Sequence, residues 1–94
     1  MNKLYSDETE LFFDCILALE NKEECYKFFE DICTFKEIDA IAQRVKVAKM
    51  IKEGAVYTKI TEETGASTAT ISRVRRSIDY GNDAYTMVFD RLKK

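Results

Sequence analysis

Proline, histidine and tryptophan are all missing from this 94-residue sequence, and glycine occurs only at Gly54, Gly65 and Gly81. Proline breaks helix interiors and glycine usually marks their ends, so the scarcity of both points to a few long helices joined by short turns. Without histidine the chain lacks the commonest general base, the usual partner of a Ser or Cys nucleophile, and the commonest zinc ligand. No paired-carboxylate site or phosphate loop takes its place, and the expectation is a protein that is not an enzyme and holds no metal. Cys15, Cys25 and Cys33 are odd in number and spaced ten and eight apart. They form neither a disulfide framework nor a CxxC metal pattern and read as reduced thiols used as small hydrophobes on helix faces. No segment approaches the roughly 20 apolar residues a membrane span needs. The N-terminus turns acidic at once and lacks the apolar run of a secretory signal, so the expected location is the cytoplasm.

What is present is a globular balance, 46% hydrophobic and 34% charged. Net charge is only −2 but is unevenly spread. Residues 1–43 carry four Lys against eleven Asp or Glu. Residues 44–76 reverse this, with Arg44, Lys46, Lys49, Lys52, Lys59, Arg73, Arg75 and Arg76 against Glu53, Glu62 and Glu63. An acidic half followed by a basic segment is the asymmetry of a molecule that turns one face to a polyanion, although exposed helices also carry such charges.

Helical periodicity divides the chain readily. A first helix is expected over 6–20, capped by Ser6, with Leu11, Phe12, Cys15, Ile16 and Leu19 at three- and four-residue steps. Asn21 and Lys22 break that pattern, and a second helix over about 22–33 carries Cys25, Phe28, Phe29 and Ile32 on one side. Thr34 and Glu37 suit a capping box for a third helix running to Glu53. Its apolar residues, from Ile38 to Ile51, cover more than the single stripe of a surface helix. Such a helix is central to its own domain or packed from a second side by another chain. A last helix over about 83–93, capped by Asn82 or Asp83, aligns Ala84, Val88 and Leu92 on one line and Tyr85 and Phe89 on the next, and is expected to dock.

The most informative segment is residues 56–78. It reads as a short helix over 57–64, a turn at Gly65-Ala66, and a second helix capped by Ser67. Ile60 and Thr61 are expected to face inward, with Ala66, Ile71 and Val74 packing the second helix back on the first. Apolar residues at these spacings around a turn glycine form the framework of a helix-turn-helix. The outward face would then hold Thr68, Ala69, Thr70, Ser72, Arg73 and Arg76. Short hydroxyls and a methyl group at the N-terminal end of a helix suit the major groove, where Thr hydrogen-bonds base edges and Ala meets the thymine methyl. Thr68, Ala69, Thr70, Ser72 and Arg73 are therefore the candidate base readers, and Lys59, Ser67, Arg75 and Arg76 the candidate phosphate contacts. A plain helical hairpin with a solvated Ser/Thr face is the competing reading. It is disfavoured because Ser and Thr are mediocre helix formers that a purely structural surface has little reason to use.

The run Glu63-Thr-Gly-Ala-Ser-Thr-Ala-Thr-Ile-Ser-Arg73, with Cys33-Thr-Phe-Lys-Glu, Ile41-Ala-Gln-Arg-Val-Lys-Val and Glu53-Gly upstream of it, resembles the Trp repressor family and specifically its Trp-repressor-like YerC/YecD branch. The resemblance is close over about residues 28–92. It implies an all-α, six-helix protomer intertwined with a second copy, with residues 1–53 and 83–94 supplying dimer-core helices and 56–78 a DNA-reading head within one domain. It also implies an effector pocket around Thr34, Arg44, Arg73 and Ser77. The repressor itself has glycine where this chain has Val74, against which the indole of bound tryptophan packs, so the branched side chain argues against tryptophan as co-repressor. The resulting expectation is a homodimeric, sequence-specific DNA-binding transcriptional regulator, with double-stranded DNA as partner, no cofactor and no membrane. The alternative is a protein-interaction module whose helical hairpin is structural.

Overall fold

The computed structural model describes residues 3–93. The architecture is all-α, with six helices: α1 (Asp7–Leu17), α2 (Lys22–Ile32), α3 (Phe35–Lys52), α4 (Tyr57–Thr64), α5 (Thr68–Tyr80) and α6 (Ala84–Leu92). The chain divides into two compact units at the Phe35–Lys36 bond.

In the first unit, α1 opens with a capping box in which the Ser6 side chain accepts the Thr9 N–H at 3.2 Å and the Thr9 hydroxyl accepts the Ser6 N–H at 3.0 Å. Threonine does here what glutamate usually does at that position. Asp7, Glu8 and Glu10 in the first turn complement the helix dipole. The helix stops at Leu17, short of the expected end. The Leu19 N–H bonds only three residues back, to Ile16 at 3.1 Å, a 3₁₀-type closure that tightens the last turn. Asn21 does more than interrupt the pattern. Its side chain caps α2 by accepting the Glu24 N–H at 2.9 Å, and the Glu24 carboxylate reaches back to the Glu20 N–H at 2.8 Å. Phe12 meets Phe28 and Phe29 across the pair, with ring centroids 6.5 and 6.4 Å apart. Yet neither helix contains a buried residue. Leu11 is 65% and Leu17 83% exposed, and Cys25 is exposed rather than packed.

The second unit has a true core. Val47, Ala48, Met50 and Ile51 of α3, Ile60 of α4, Ala66, and Ile71 and Val74 of α5 are buried together, with Ala55, Ile78, Tyr85 and Phe89 packed against them. The burial belongs to the C-terminal half of α3, while Ile41 and Val45 remain about half exposed. α3 ends in a Schellman motif: Ala55 N–H bonds to Met50 and Gly54 N–H to Ile51, both at 3.0 Å, with Gly54 at φ 86°. α6 docks through Tyr85 and Phe89, whose rings stack at 6.0 Å. The other expected line, Ala84, Val88 and Leu92, is exposed. Asp83 occupies the N-cap position of α6 in the left-handed region (φ 60°) and makes no side-chain cap, so its role there is conformational. Lys52 ties α3 to α6 by donating to the Thr86 hydroxyl at 2.7 Å. Among the described residues no helix is long and apolar enough to cross a membrane.

Candidate nucleic-acid interface

The segment read as a helix-turn-helix folds as one. α4 ends at Thr64, Gly65 adopts φ 74° and ψ 3°, and Ser67 caps α5 by accepting the Thr70 N–H at 3.1 Å. The left-handed conformation at Gly65 costs a side chain roughly 1–2 kcal/mol, which is why glycine stands at the turn. Ile60 and Ile71 are fully buried, and Ala66 and Val74 are 1% and 2% exposed. These four side chains pin α5 against α4 and α3, so the outward stripe of α5 is presented by a rigid base.

One inward assignment is corrected. Thr61 is exposed; the polar residue that turns inward from α4 is Thr64, one helical turn after Ile60. The Thr64 hydroxyl donates to the Ile60 carbonyl at 2.7 Å and accepts the Ala66 N–H at 3.1 Å, and the Thr64 carbonyl accepts from Gln43 Nε2 of α3 at 3.0 Å. A short α4 of eight residues closes quickly, so a position near its C-terminus is drawn into the turn.

On α5, Ala69, Ser72, Arg73 and Arg76 fall at steps of three and four residues and line a shallow hollow of about 240 Å³. Its lining thus combines two small side chains with two arginines. Neither Arg73 nor Arg76 makes an ion pair among the described residues. Thr68 is exposed at the N-terminal end of the same helix, whereas Thr70 is half-buried and its hydroxyl lies 3.2 Å from the Ser67 hydroxyl. Thr70 thus belongs to the cap as much as to the outward face. Two of the expected phosphate contacts are engaged within their own helices: Arg75 with Asp79 at 3.1 Å and Lys59 with Glu63 at 3.7 Å. Such exposed pairs are weak, on the order of 0.3–0.5 kcal/mol, and yield readily to a phosphate.

The residues assigned by resemblance to an effector pocket are more scattered in character. Thr34 lies in the first unit, directly before α3; Arg44 is half-buried on α3; Arg73 is exposed on α5. The Ser77 hydroxyl donates to the Arg73 carbonyl at 3.3 Å. Val74 is a core residue, packed with Ile60 and Ile71. No group of three or more Cys, Asp or Glu able to hold a metal occurs among the described residues.

The model of the family described as Trp repressor protein matches residues 7–93. The chain belongs to the Trp repressor family. Within the family it is 55% identical over 94 residues to the uncharacterised protein YerC of Bacillus subtilis (strain 168), covering all of this chain and 90% of that one. Two solved structures are equally near. A candidate Trp repressor from Staphylococcus aureus is 58% identical with a TM-score of 0.94, covering 97% of this chain and 91% of that chain. A TrpR-like protein from Eubacterium eligens ATCC 27750 is 54% identical with a TM-score of 0.96, covering 99% and 96%. The six-helix Trp-repressor-like protomer expected from the sequence is therefore the fold of this chain.

Proposed function

We propose that this member of the Trp repressor family is a homodimeric, sequence-specific DNA-binding regulator of transcription, acting in the cytoplasm as a repressor by occupying its site. The observation that carries the reading is the α5 stripe of Ala69, Ser72, Arg73 and Arg76, whose arginines make no ion pair among the described residues, with Ile71 and Val74 of the same helix buried in the core. A helix that offers methyl and hydroxyl groups beside two guanidinium groups matches a major groove: Arg73 can read guanine O6 and N7, Ala69 can meet a thymine methyl, and Arg76 can reach the adjacent phosphate. Thr68 extends that stripe toward the helix N-terminus, where Ser67 and the free N–H groups favour a phosphate. Arg75 and Lys59 serve as further phosphate contacts once their acidic partners are displaced.

Dimerisation is supported by what the first unit leaves uncovered. A unit of this size rarely folds alone, and apolar residues such as Leu11, Leu17 and Tyr26 have no cover of their own. A second copy supplies that cover and sets two α5 helices for half-sites about 34 Å apart. By the family resemblance Val74 stands where the repressor has the glycine that its indole packs against, so binding without tryptophan is the expected behaviour. The chemistry is occupancy, with no catalytic step.

The test is selection from random duplex DNA at about 150 mM salt without tryptophan, with affinities then measured against salt. Enrichment of a two-fold repeat supports the reading. Failure to enrich, repeated with tryptophan present, would transfer the acidic and apolar first unit to the competing reading, a protein-interaction module.

A further inference from the structure

We infer that Gln43 and Thr64 are positioning residues that set the angle of α5 on its scaffold, and so decide how well the duplex site is read. The inference rests on the DNA-reading role proposed above and deepens it. Core packing holds α4 and α5 against α3, and hydrogen bonds add the directional constraint that apolar contacts, being non-directional, supply less sharply. The turn between α4 and α5 has three that converge on one residue. Thr64 Oγ1 donates to the Ile60 carbonyl at 2.7 Å and accepts the Ala66 N–H at 3.1 Å. The Thr64 carbonyl accepts from Gln43 Nε2 at 3.0 Å, across 21 residues of sequence.

The first bond ties the Thr64 hydroxyl back onto the preceding turn of α4, and the second closes the chain across Gly65, whose backbone is permissive (φ 74°). The third fastens the stiffened turn to α3. It links α3 directly to the helix-turn-helix. Both Gln43 and Thr64 are half-buried at the edge of an open hollow, so the bond is partly screened from water, and no buried side-chain N or O among the described residues lacks a partner. Sequence-specific contacts require the reading side chains to be held in register, whereas phosphate attraction tolerates a looser head. A latch of this kind should therefore matter for the selected duplex and hardly at all for random DNA.

The test uses the full chain and three variants. Gln43→Met removes the donor at similar volume, Thr64→Val removes the hydroxyl at similar shape, and Thr64→Ser retains it. On the duplex selected by the wild-type chain, Gln43→Met and Thr64→Val are each expected to bind about fivefold more weakly, the worth of roughly one net neutral hydrogen bond. Thr64→Ser should bind like the wild type. Affinity for random-sequence duplex should stay within about a factor of two for all three, being set by phosphate charge. Amide exchange at Gly65 and Ala66 should quicken in the two weakened variants while Val47 and Ile51 stay protected, which separates a local latch from general loss of stability.

Equal losses on both duplexes overturn the inference, as does a Thr64→Ser variant as weak as Thr64→Val, or unchanged exchange at the turn. A wild-type chain that selects no sequence overturns the DNA-reading role and the positioning role together. That result is distinct from failure of the latch alone, in which the wild type selects a site and Gln43→Met reads it equally well.

Discussion

Leu17 of α1 and Ile71 of α5 are aliphatic residues of equal size on helices of similar length, yet the first is 83% exposed and the second not at all. The contrast runs through the whole of their units. The first unit is acidic, well capped at both helix starts and rich in aromatic rings, but buries no residue in either helix. The second holds the basic segment and gathers eight buried residues from α3, α4, α5 and the turn between the last two. Good capping and clear amphipathicity are enough to make helices; they do not make a core. The second unit carries its own packing, and the cover that the first unit lacks is what the proposed dimer would supply.

The largest effect should come from attacking the uncovered face. Leu11→Glu combined with Leu17→Glu places charge where a partner would sit, and sedimentation should show a monomer where the wild-type chain is a dimer. Affinity for a two-fold duplex should fall by about a hundredfold or more, because the second half-site is no longer tethered to the first. A variant that remains dimeric would break the comparison, since α1 would then be plain surface. Next in size is Ile71→Ala, which removes buried volume from a self-contained core. Urea unfolding should show a loss of about 2–5 kcal/mol that does not depend on protein concentration, unlike the effect of the double leucine variant.

Gly65→Ala should cost about 1 kcal/mol by the same measurement, because alanine must adopt φ 74° in open space. The smallest effect on the fold should come from Arg76→Ala, at an exposed position of α5. It should leave the unfolding midpoint in place while weakening binding to all duplexes alike and reducing the salt slope by about one. Arg75→Ala should do less, since Asp79 already holds that guanidinium.

Legibility in the sequence follows the same division. The helix-turn-helix could be read almost to the residue, because its determinants are local: a turn glycine, a Ser cap and apolar residues at helical steps. α4, Gly65 and the Ser67 cap stand where those signals placed them. What escaped was set by other means. Thr64 lies four residues after buried Ile60 and shares its face, so helical periodicity favours it over Thr61, and the signal is obscured because both are threonines on one short helix. The Gln43 bond to Thr64 joins positions 21 apart and leaves no periodic trace. Asn21 looked like a break because an N-cap and a helix breaker use the same residue types. In α6 the sequence offered two apolar lines of similar quality, and the aromatic one docks, since Tyr85 and Phe89 bring more area to the core than Val88 and Leu92. The face proposed to read bases was legible as an outward stripe, but the half-burial of Thr70 was not, because its hydroxyl lies against the Ser67 cap.

The most direct test of the central claim is a hydroxyl-radical footprint of the wild-type chain on its selected duplex, run beside Ala69→Glu. A dimeric reader predicts two protected patches about one helical turn apart, and loss of both in the variant, whose carboxylate would meet the groove floor and the adjacent phosphates. A single patch, or a footprint that survives Ala69→Glu unchanged, would contradict the assignment of α5 as the helix that enters the groove.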